Sequence, residues 1–578
     1  MGKAKMKIIF FLIFIVLGSS VVLANEGTSY FTDVPKEHWA YEAVHELHSL
    51  GITQGVDHGE FGMGRTITRN EFVTFLVKLM NWELINPEQG SFADNMDSSQ
   101  WYYRPVETAL KHGVILQNDD LFKGNEPITR EEIAIMIIRT LGYESLAQQL
   151  GNIEKPFQDI FEHTGHIMMA KDFGIITGVG KNQFNPYHTA KREEAAVMMM
   201  RMYHKLNKSI KELHGFYAIR SADQGNLISS LDSVGFGWSR LEYDKEKKQI
   251  ILNTTRQNNN EYGIPTGFSQ PLQKAKESNV STQLMVLARN DWMVEGDNQW
   301  EVPLIEYIIT NPKVRKQVID SILFQLNKEM EEEKYDSFDG VIIDFENMKG
   351  EKLREAFNIF LQELKTELDQ YNKLLYVAVH PKRSPDQVYY DGYDYKTIGK
   401  IADRVILMAH DYYAKKLTDL EMEKGYTTTP LTPINEFYYA LKAITDKDTG
   451  VEEVSKIWIQ FSFDSVQWKL KEGKVIHSYP YHPTYDMIDK RLKMDGITIQ
   501  YSDLFQNPYA TFLNQEDNTY NVLWYEDSRS IQAKINLLKL FDIQGISLWR
   551  LGNIPDFNDT QSNKTHLNVW EKIIENRK

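Results

Sequence analysis

The chain of 578 residues contains no cysteine, so neither a disulfide framework nor a thiolate-bound metal is available to it. It also lacks a basic excess. Lys and Arg number 65 against 80 Asp and Glu, for a net charge of −15, which argues against general nucleic-acid binding because that needs a basic surface. Contact with an acidic polymer must then rely on local arginines and lysines, not on the overall field. Long hydrophobic runs are missing too, apart from one between Ile8 and Leu17 that follows Lys3, Lys5 and Lys7. That run is too short to span a bilayer, and Val22-Leu23-Ala24 supplies small residues before Asn25. The pattern predicts a secretory signal peptide over 1–24, cleaved after Ala24, with no transmembrane anchor left behind. The length implies several domains.

What the first third does contain is a repeat. Phe31-Thr32-Asp33-Val34 recurs as Phe92-Ala93-Asp94-Asn95 and as Phe157-Gln158-Asp159-Ile160. Ile67-Thr68-Arg69-Asn70-Glu71 recurs as Ile128-Thr129-Arg130-Glu131-Glu132 and, more loosely, as Ala190-Lys191-Arg192-Glu193-Glu194. Arg69 to Arg130 is 61 positions and Arg130 to Arg192 is 62, the mark of one structural unit in tandem. Thr68 with Glu71, and Thr129 with Glu132, have capping-box spacing ahead of apolar helices over 72–80 and 133–141. Lysine at the third cap predicts a weaker helix start. The expected units are 30–88, 89–152 and 153–206.

After a polar connection at 207–211 the pattern changes to alternating strands and helices. Apolar strands are predicted at 215–219, 233–238, 283–288, 338–345, 375–379, 405–409, 457–461 and 545–549. Helices are expected between several of them, notably 312–334, 352–369, 435–445 and 530–540. This is the signature of a (β/α)8 barrel over 213–575, a fold whose active sites lie at the C-terminal strand ends. Within Phe338-Asp339-Gly340-Val341-Ile342-Ile343-Asp344-Phe345-Glu346 the side chains alternate. Val341, Ile343 and Phe345 then face one way, and Ile342, Asp344 and Glu346 the other. Two acids at one strand end suit glycosidic bond cleavage, one as proton donor and one as charge stabiliser.

The repeats resemble S-layer homology domains, small helical modules that form bundled triplets and hold exported proteins on Gram-positive-type cell walls. The resemblance implies that Arg69, Arg130 and Arg192, with Asp33, Asp94 and Asp159, help bind a secondary wall polysaccharide. Trp39 and Trp101 match the tryptophan of that motif, which the third repeat lacks. The chemistry is consistent, since a guanidinium pairs bidentately with a carboxylate. The alternative is that each arginine only pairs with glutamates inside the bundle.

The second part, from about His214 to Trp570, resembles family 18 glycoside hydrolases, the chitinase-like enzymes, and especially their spore- and wall-associated N-acetylglucosaminidase branch. The segments that carry this are Asp339 to Glu346, Tyr376-Val377-Ala378-Val379, Met408-Ala409-His410-Asp411, Trp524-Tyr525-Glu526-Asp527 with Ser530 and Lys534, and Gly545 to Gly552. The resemblance implies substrate-assisted, retaining catalysis without a cofactor or metal. Glu346 would be the proton donor and Asp344 would orient the substrate acetamide. Asp339, His410, Asp411, Tyr412 and Trp549 would contact substrate, with Trp549 as an apolar floor. The substrate would be peptidoglycan or a chitin-like glycan.

Two positions depart from the family pattern. Ile342 replaces an Asp or Asn, so the expectation is that Asp344, free of a like charge there, stays ionised across the working pH range. His410 replaces a tyrosine that usually helps hold the acetamide, leaving its imidazole N–H, Tyr412 or Tyr413 to take over. Two other readings stay open: a metal-dependent hydrolase or deacetylase using His380 and His410, and a wall-anchored lectin. All of them place the protein outside the cell, on the wall or S-layer.

Overall fold

The computed structural model describes residues 30–152, 155–295, 301–327, 338–385, 387–557 and 565–578. The expected signal peptide lies outside these residues, as does the end of the helix predicted at 312–334.

The N-terminal third is helical. Its principal helices are Tyr41–Ser49, Arg69–Leu79, Tyr103–Lys111, Arg130–Thr140, Thr164–Asp172 and Arg192–Leu206. Thr68 and Thr129 each close a capping box with the glutamate three residues on. At the third start Glu194 still accepts from the Lys191 backbone at 2.8 Å, which keeps the glutamate half of the box.

The three repeats close on one another. Short bridges pair Thr68 with Pro127, Thr129 with Thr189, and Thr66 with Lys191. Backbone hydrogen bonds follow the same order: Asn70 N to Gly124 O, Glu131 N to Pro186 O, and Arg192 N to Arg65 O. Each repeat therefore completes the next, and the third completes the first.

Eight parallel strands follow: β1 (Glu212–Tyr217), β2 (Ser233–Asp244), β3 (Ser281–Arg289), β4 (Gly340–Glu346), β5 (Leu374–Val379), β6 (Arg404–Leu407), β7 (Ile457–Ser462) and β8 (Gly545–Trp549). Each pairs with its predecessor and β8 pairs back with β1, so the barrel is closed. All eight coincide with or overlap the predicted strands, although β1 starts three residues earlier than predicted. A Cβ on Gly340 would sit 2.4 Å from Leu374 O, so only glycine lets β5 approach β4 there. The barrel interior is filled by Phe216, Met285, Leu287, Ile342, Tyr376, Ala378, Ile406 and Trp458.

The largest element to escape the sequence reading is an insert. Between β7 and β8 lies a five-stranded antiparallel sheet built from Val466–Lys471, Lys474–Val475, Thr498–Ser502, Asn507–Asn514 and Thr519–Trp524. Trp524 thus ends a strand of this insert instead of belonging to the last βα unit. Glu526 and Asp527 then lead into the helix Ser528–Leu540.

The repeats also pack on the barrel. Tyr143 donates to Ala533 O at 2.8 Å, and Lys205 donates to Leu540 O at 2.9 Å. Asp172 accepts from Lys442 at 2.6 Å and from the Tyr438 hydroxyl.

Candidate active site

β4 behaves as its alternation predicts. Phe345 turns outward onto Phe357 and Phe360 of the helix Glu351–Asp369, while Ile342 sits in the barrel interior. Asp344 and Glu346 follow on the inner row at the C-terminal end. Asp344 is buried, and its Oδ1 has no hydrogen-bond partner.

Both carboxyls are raised above their ordinary ranges. Burial raises Asp344 well above the usual aspartate range and the nearby Glu346 adds to this, against a smaller pull from Arg289. Glu346 is raised by burial too, with Arg289 and His410 opposing and Asp291 assisting. This corrects the expectation that Asp344 stays ionised once position 342 carries no acid. Desolvation, not a like charge at 342, dominates, and the like charge that does matter is Glu346.

Arg289, at the end of β3, was not foreseen. Its Nη1 lies 3.8 Å from Glu346 Oε2, and its other nitrogens hold Asp291 at 2.8 and 3.0 Å. Asn347 donates to the same Asp291 at 3.1 Å. The predicted strand stopped one residue short of this arginine, and an isolated Arg at a strand end carries no pattern of its own.

The predicted contact residues divide. Trp549 ends β8 at the barrel mouth, packed on Phe216 at 5.2 Å; the peptide bond after it is cis. His410 and Asp411 follow β6. Burial would raise Asp411, but the His410 side chain, Lys415 and Ser462 outweigh it and bring it to about 2. His410 Nε2 lies 2.7 Å from Gln460 Oε1, while its buried Nδ1, 3.1 Å from Asp411 Oδ2, makes no hydrogen bond. Tyr412 carries the Arg383 guanidinium 4.4 Å above its ring and a buried hydroxyl with no hydrogen-bond partner, and Tyr413 donates to Asp464 at 2.7 Å.

Asp339 does not join the site. It stands at the opposite end of β4, where it accepts from Thr282 N at 2.8 Å and ties the starts of β3 and β4 together. Seven residues of strand, about 23 Å at ~3.3 Å each, separate it from Glu346.

His380, at the end of β5, is stacked on Tyr390 at 4.1 Å and brought down to about 3 by burial, with His410 and Arg289 adding to it. Among the described residues no three His, Asp or Glu side chains are grouped to hold a metal ion.

In the repeats, the aspartates and arginines meet at the seams. Asp33 accepts from the backbone N–H groups of Phe61, Gly62 and Met63, Asp94 from Phe122 and Lys123, and Asp159 from Phe184 and Asn185. Each arginine reaches the phenylalanine of the following seam: Arg69 over Phe122, Arg130 over Phe184, Arg192 over Phe61. Arg130 and Arg192 are buried and donate to the carbonyls of Phe184 and Phe61 at 3.0 and 2.8 Å. Arg69 pairs with Glu132 and retains some exposure. Trp39 and Trp101 stand 61% and 58% exposed.

The chain belongs to the glycosyl hydrolases family 18, whose model matches residues 244–553; the S-layer homology domain matches 30–73, 95–134 and 156–196. It is 28% identical over 294 residues to a cortical fragment-lytic enzyme of Bacillus anthracis, covering 49% of this chain and 61% of that one. It is 24% identical over 256 residues to the putative sporulation-specific glycosylase YdhD of Bacillus subtilis (strain 168), covering 43% and 53%. An S-layer protein sap of Bacillus anthracis is 29% identical over 171 residues, 29% of this chain and 20% of that one. The chain therefore spans about three fifths or less of the length of these relatives.

Proposed function

We propose that this protein is a cell-wall-anchored glycosidase that cleaves β-linked N-acetylglucosamine glycans, with peptidoglycan as substrate and chitin-like oligosaccharides as the runner-up. The observation that carries this is the pair Asp344 and Glu346, delivered to one barrel mouth with their carboxyls raised by burial. A carboxyl whose affinity for its proton is raised by burial is suited to serve as a general acid. The names of the relatives, a lytic enzyme and a glycosylase, agree with this activity.

In this reading Glu346 gives its proton to the glycosidic oxygen as the bond to C1 breaks. The acetamido oxygen of the same sugar forms the new bond to C1, generating an oxazolinium. With the pair's one proton on Glu346, the Asp344 carboxylate accepts from the acetamide N–H and stabilises the developing positive charge, an effect worth a few kcal/mol. Glu346 then takes a proton from water as water opens the oxazolinium, so configuration is retained. Trp549 forms the apolar floor beneath that sugar.

The repeats would hold the enzyme on a secondary wall polysaccharide through Arg69, which keeps some exposure, and the exposed Trp39 and Trp101. Export by the predicted signal peptide, the repeat limits at 88, 152 and 206, and a location on the wall or S-layer belong to the same proposal.

The test incubates the full-length wild type and Glu346→Gln with peptidoglycan and chitooligosaccharides, following new reducing ends by mass. Products ending in N-acetylglucosamine from wild type alone are expected. Binding without cleavage by both proteins would leave a lectin.

A further inference from the structure

The proton that Glu346 gives in the proposed reaction goes to the oxygen joining two sugars, and that oxygen leaves with the second of them. Substituents beside it on the leaving sugar therefore come to rest around Glu346. Arg289 is the group they meet. Its Nη1 stands 3.8 Å from Glu346 Oε2, and its side chain is 40% exposed.

This guanidinium is locked on one edge and open on another. A guanidinium carries five N–H groups, and a fork onto one carboxylate uses two of them. Nε and Nη2 donate to the two oxygens of Asp291 at 3.0 and 2.8 Å, and Asn347 donates to the same carboxylate at 3.1 Å. Backbone bonds fix the turn that carries them, from Trp292 N to Arg289 O at 3.2 Å and from Asn290 N to Glu346 O at 3.0 Å. The Nη1 protons and the second proton of Nη2 have no hydrogen-bond acceptor among the described residues. Glu346 is too distant for a hydrogen bond at 3.8 Å, and it enters the reaction protonated, so it does not compete for that edge. Arg383, just past β5, differs: it is spent on Glu436 and on the Tyr412 carbonyl.

A guanidinium fixed in this way, with its Nη1–Nη2 edge unfilled, matches a carboxylate. Chains of β-linked N-acetylglucosamine divide on that point. In chitin every sugar has a hydroxyl on the carbon beside the scissile oxygen. In peptidoglycan the alternate sugar, N-acetylmuramic acid, has there an ether that ends in a carboxyl. Cleavage after N-acetylglucosamine makes this acidic sugar the leaving group. Its carboxyl is a free carboxylate where the strand bears no peptide and a neutral amide where it does.

We propose that Arg289 is a specificity-determining residue: it binds the carboxylate of the leaving N-acetylmuramic acid and so selects peptide-free peptidoglycan strands over chitin. The inference rests on the hydrolase reading above and names its substrate. Hydrolysis of the amide bonds that attach the peptides is the class of reaction that supplies such strands.

The experiment uses the full-length chain and three substrates: a peptide-free tetrasaccharide of alternating N-acetylglucosamine and N-acetylmuramic acid, its methyl ester, and chitotetraose. Acid and ester differ only in the charge, and kcat/KM is followed by mass for wild type and Arg289→Met, with thermal melts to report folding. Wild type should favour the acid over the ester by about 10- to 100-fold, as hydrogen bonds to a charged group do. In Arg289→Met the ratio should fall to within about twofold of one. The ratio is the readout because losing Arg289 also alters Glu346, an effect both substrates share and which cancels. Equal rates on acid and ester by wild type, a measurement that needs no variant, would overturn the assignment, as would an undiminished preference in Arg289→Met. Cleavage of chitotetraose without preference for the acid overturns the recognition alone. If wild type cleaves none of the three, the hydrolase reading falls first and takes this one with it.

Discussion

Arg289 Nη1 stands 3.8 Å from Glu346 Oε2, while the same guanidinium holds Asp291 at 2.8 and 3.0 Å. The proton donor of the proposed reaction therefore carries a permanent cation at its side. Burial raises Glu346 and Arg289 pulls it back, so the working pH is set by their balance.

Replacing Arg289 by Met removes the opposing charge. Glu346 must be protonated to act, and activity is lost as pH rises through its pKa. The high-pH limb of the kcat/KM profile should therefore move upward, by about one unit, since an opposite charge within 4–6 Å lowers a carboxyl by ~1–3 units and this arginine is partly exposed. A pH–rate profile that superimposes on wild type would rule this out.

Asp344 costs the fold stability. Its folded-state pKa is raised, so the contribution from binding a proton is present below the unfolded value of about 3.9 and lost as pH rises through the folded value. Asp344→Asn should abolish cleavage yet be more stable at pH 7, by about 1–3 kcal/mol, the cost of a buried polar group left without a partner. The gain should vanish near pH 3. Urea titrations at the two pH values check both signs.

Glu526 and Lys534 are each 1% exposed and 2.8 Å apart, with Ser530 donating to the same carboxylate at 2.6 Å. Lys534→Met strands a buried charge and should cost roughly 3–5 kcal/mol. The double variant Lys534→Met with Glu526→Leu should recover most of that loss. Equal losses in the single and the double variant would show that the pair is not coupled.

Glu131, buried in the second repeat, is raised to about 7 by burial first and then by Glu162 and Glu132. Because the folded value lies above the unfolded one, about 4.3, stability falls as pH rises between them and is flat above. Glu131→Gln should match wild type near pH 4 and melt higher at pH 8. The same difference at both pH values would show that ionisation is not the cause.

Much of the architecture could be read from the chain. Strand positions follow from short apolar runs between polar segments, and the repeats from a fixed period with capping boxes at Thr68 and Thr129. The acids of β4 were legible because a strand's period of two puts Asp344 and Glu346 on one side. The five-stranded insert was not, because strands such as Val466–Lys471 and Asn507–Asn514 mix polar and apolar residues and so give neither an apolar run nor a clear alternation.

Local pattern by itself determined which residues form strands and helices, that a tandem unit precedes a barrel, and which two carboxyls share a strand end. Only the tertiary structure decided their surroundings. It placed Asp339 at the far end of β4, Arg289 beside Glu346, and His410 between Gln460 and Asp411. It also closed the third repeat onto the first. The reason is physical: secondary structure follows from neighbours a few residues apart, whereas the ionisation and reach of a side chain depend on what distant segments place within a few ångströms of it and on how much water they exclude.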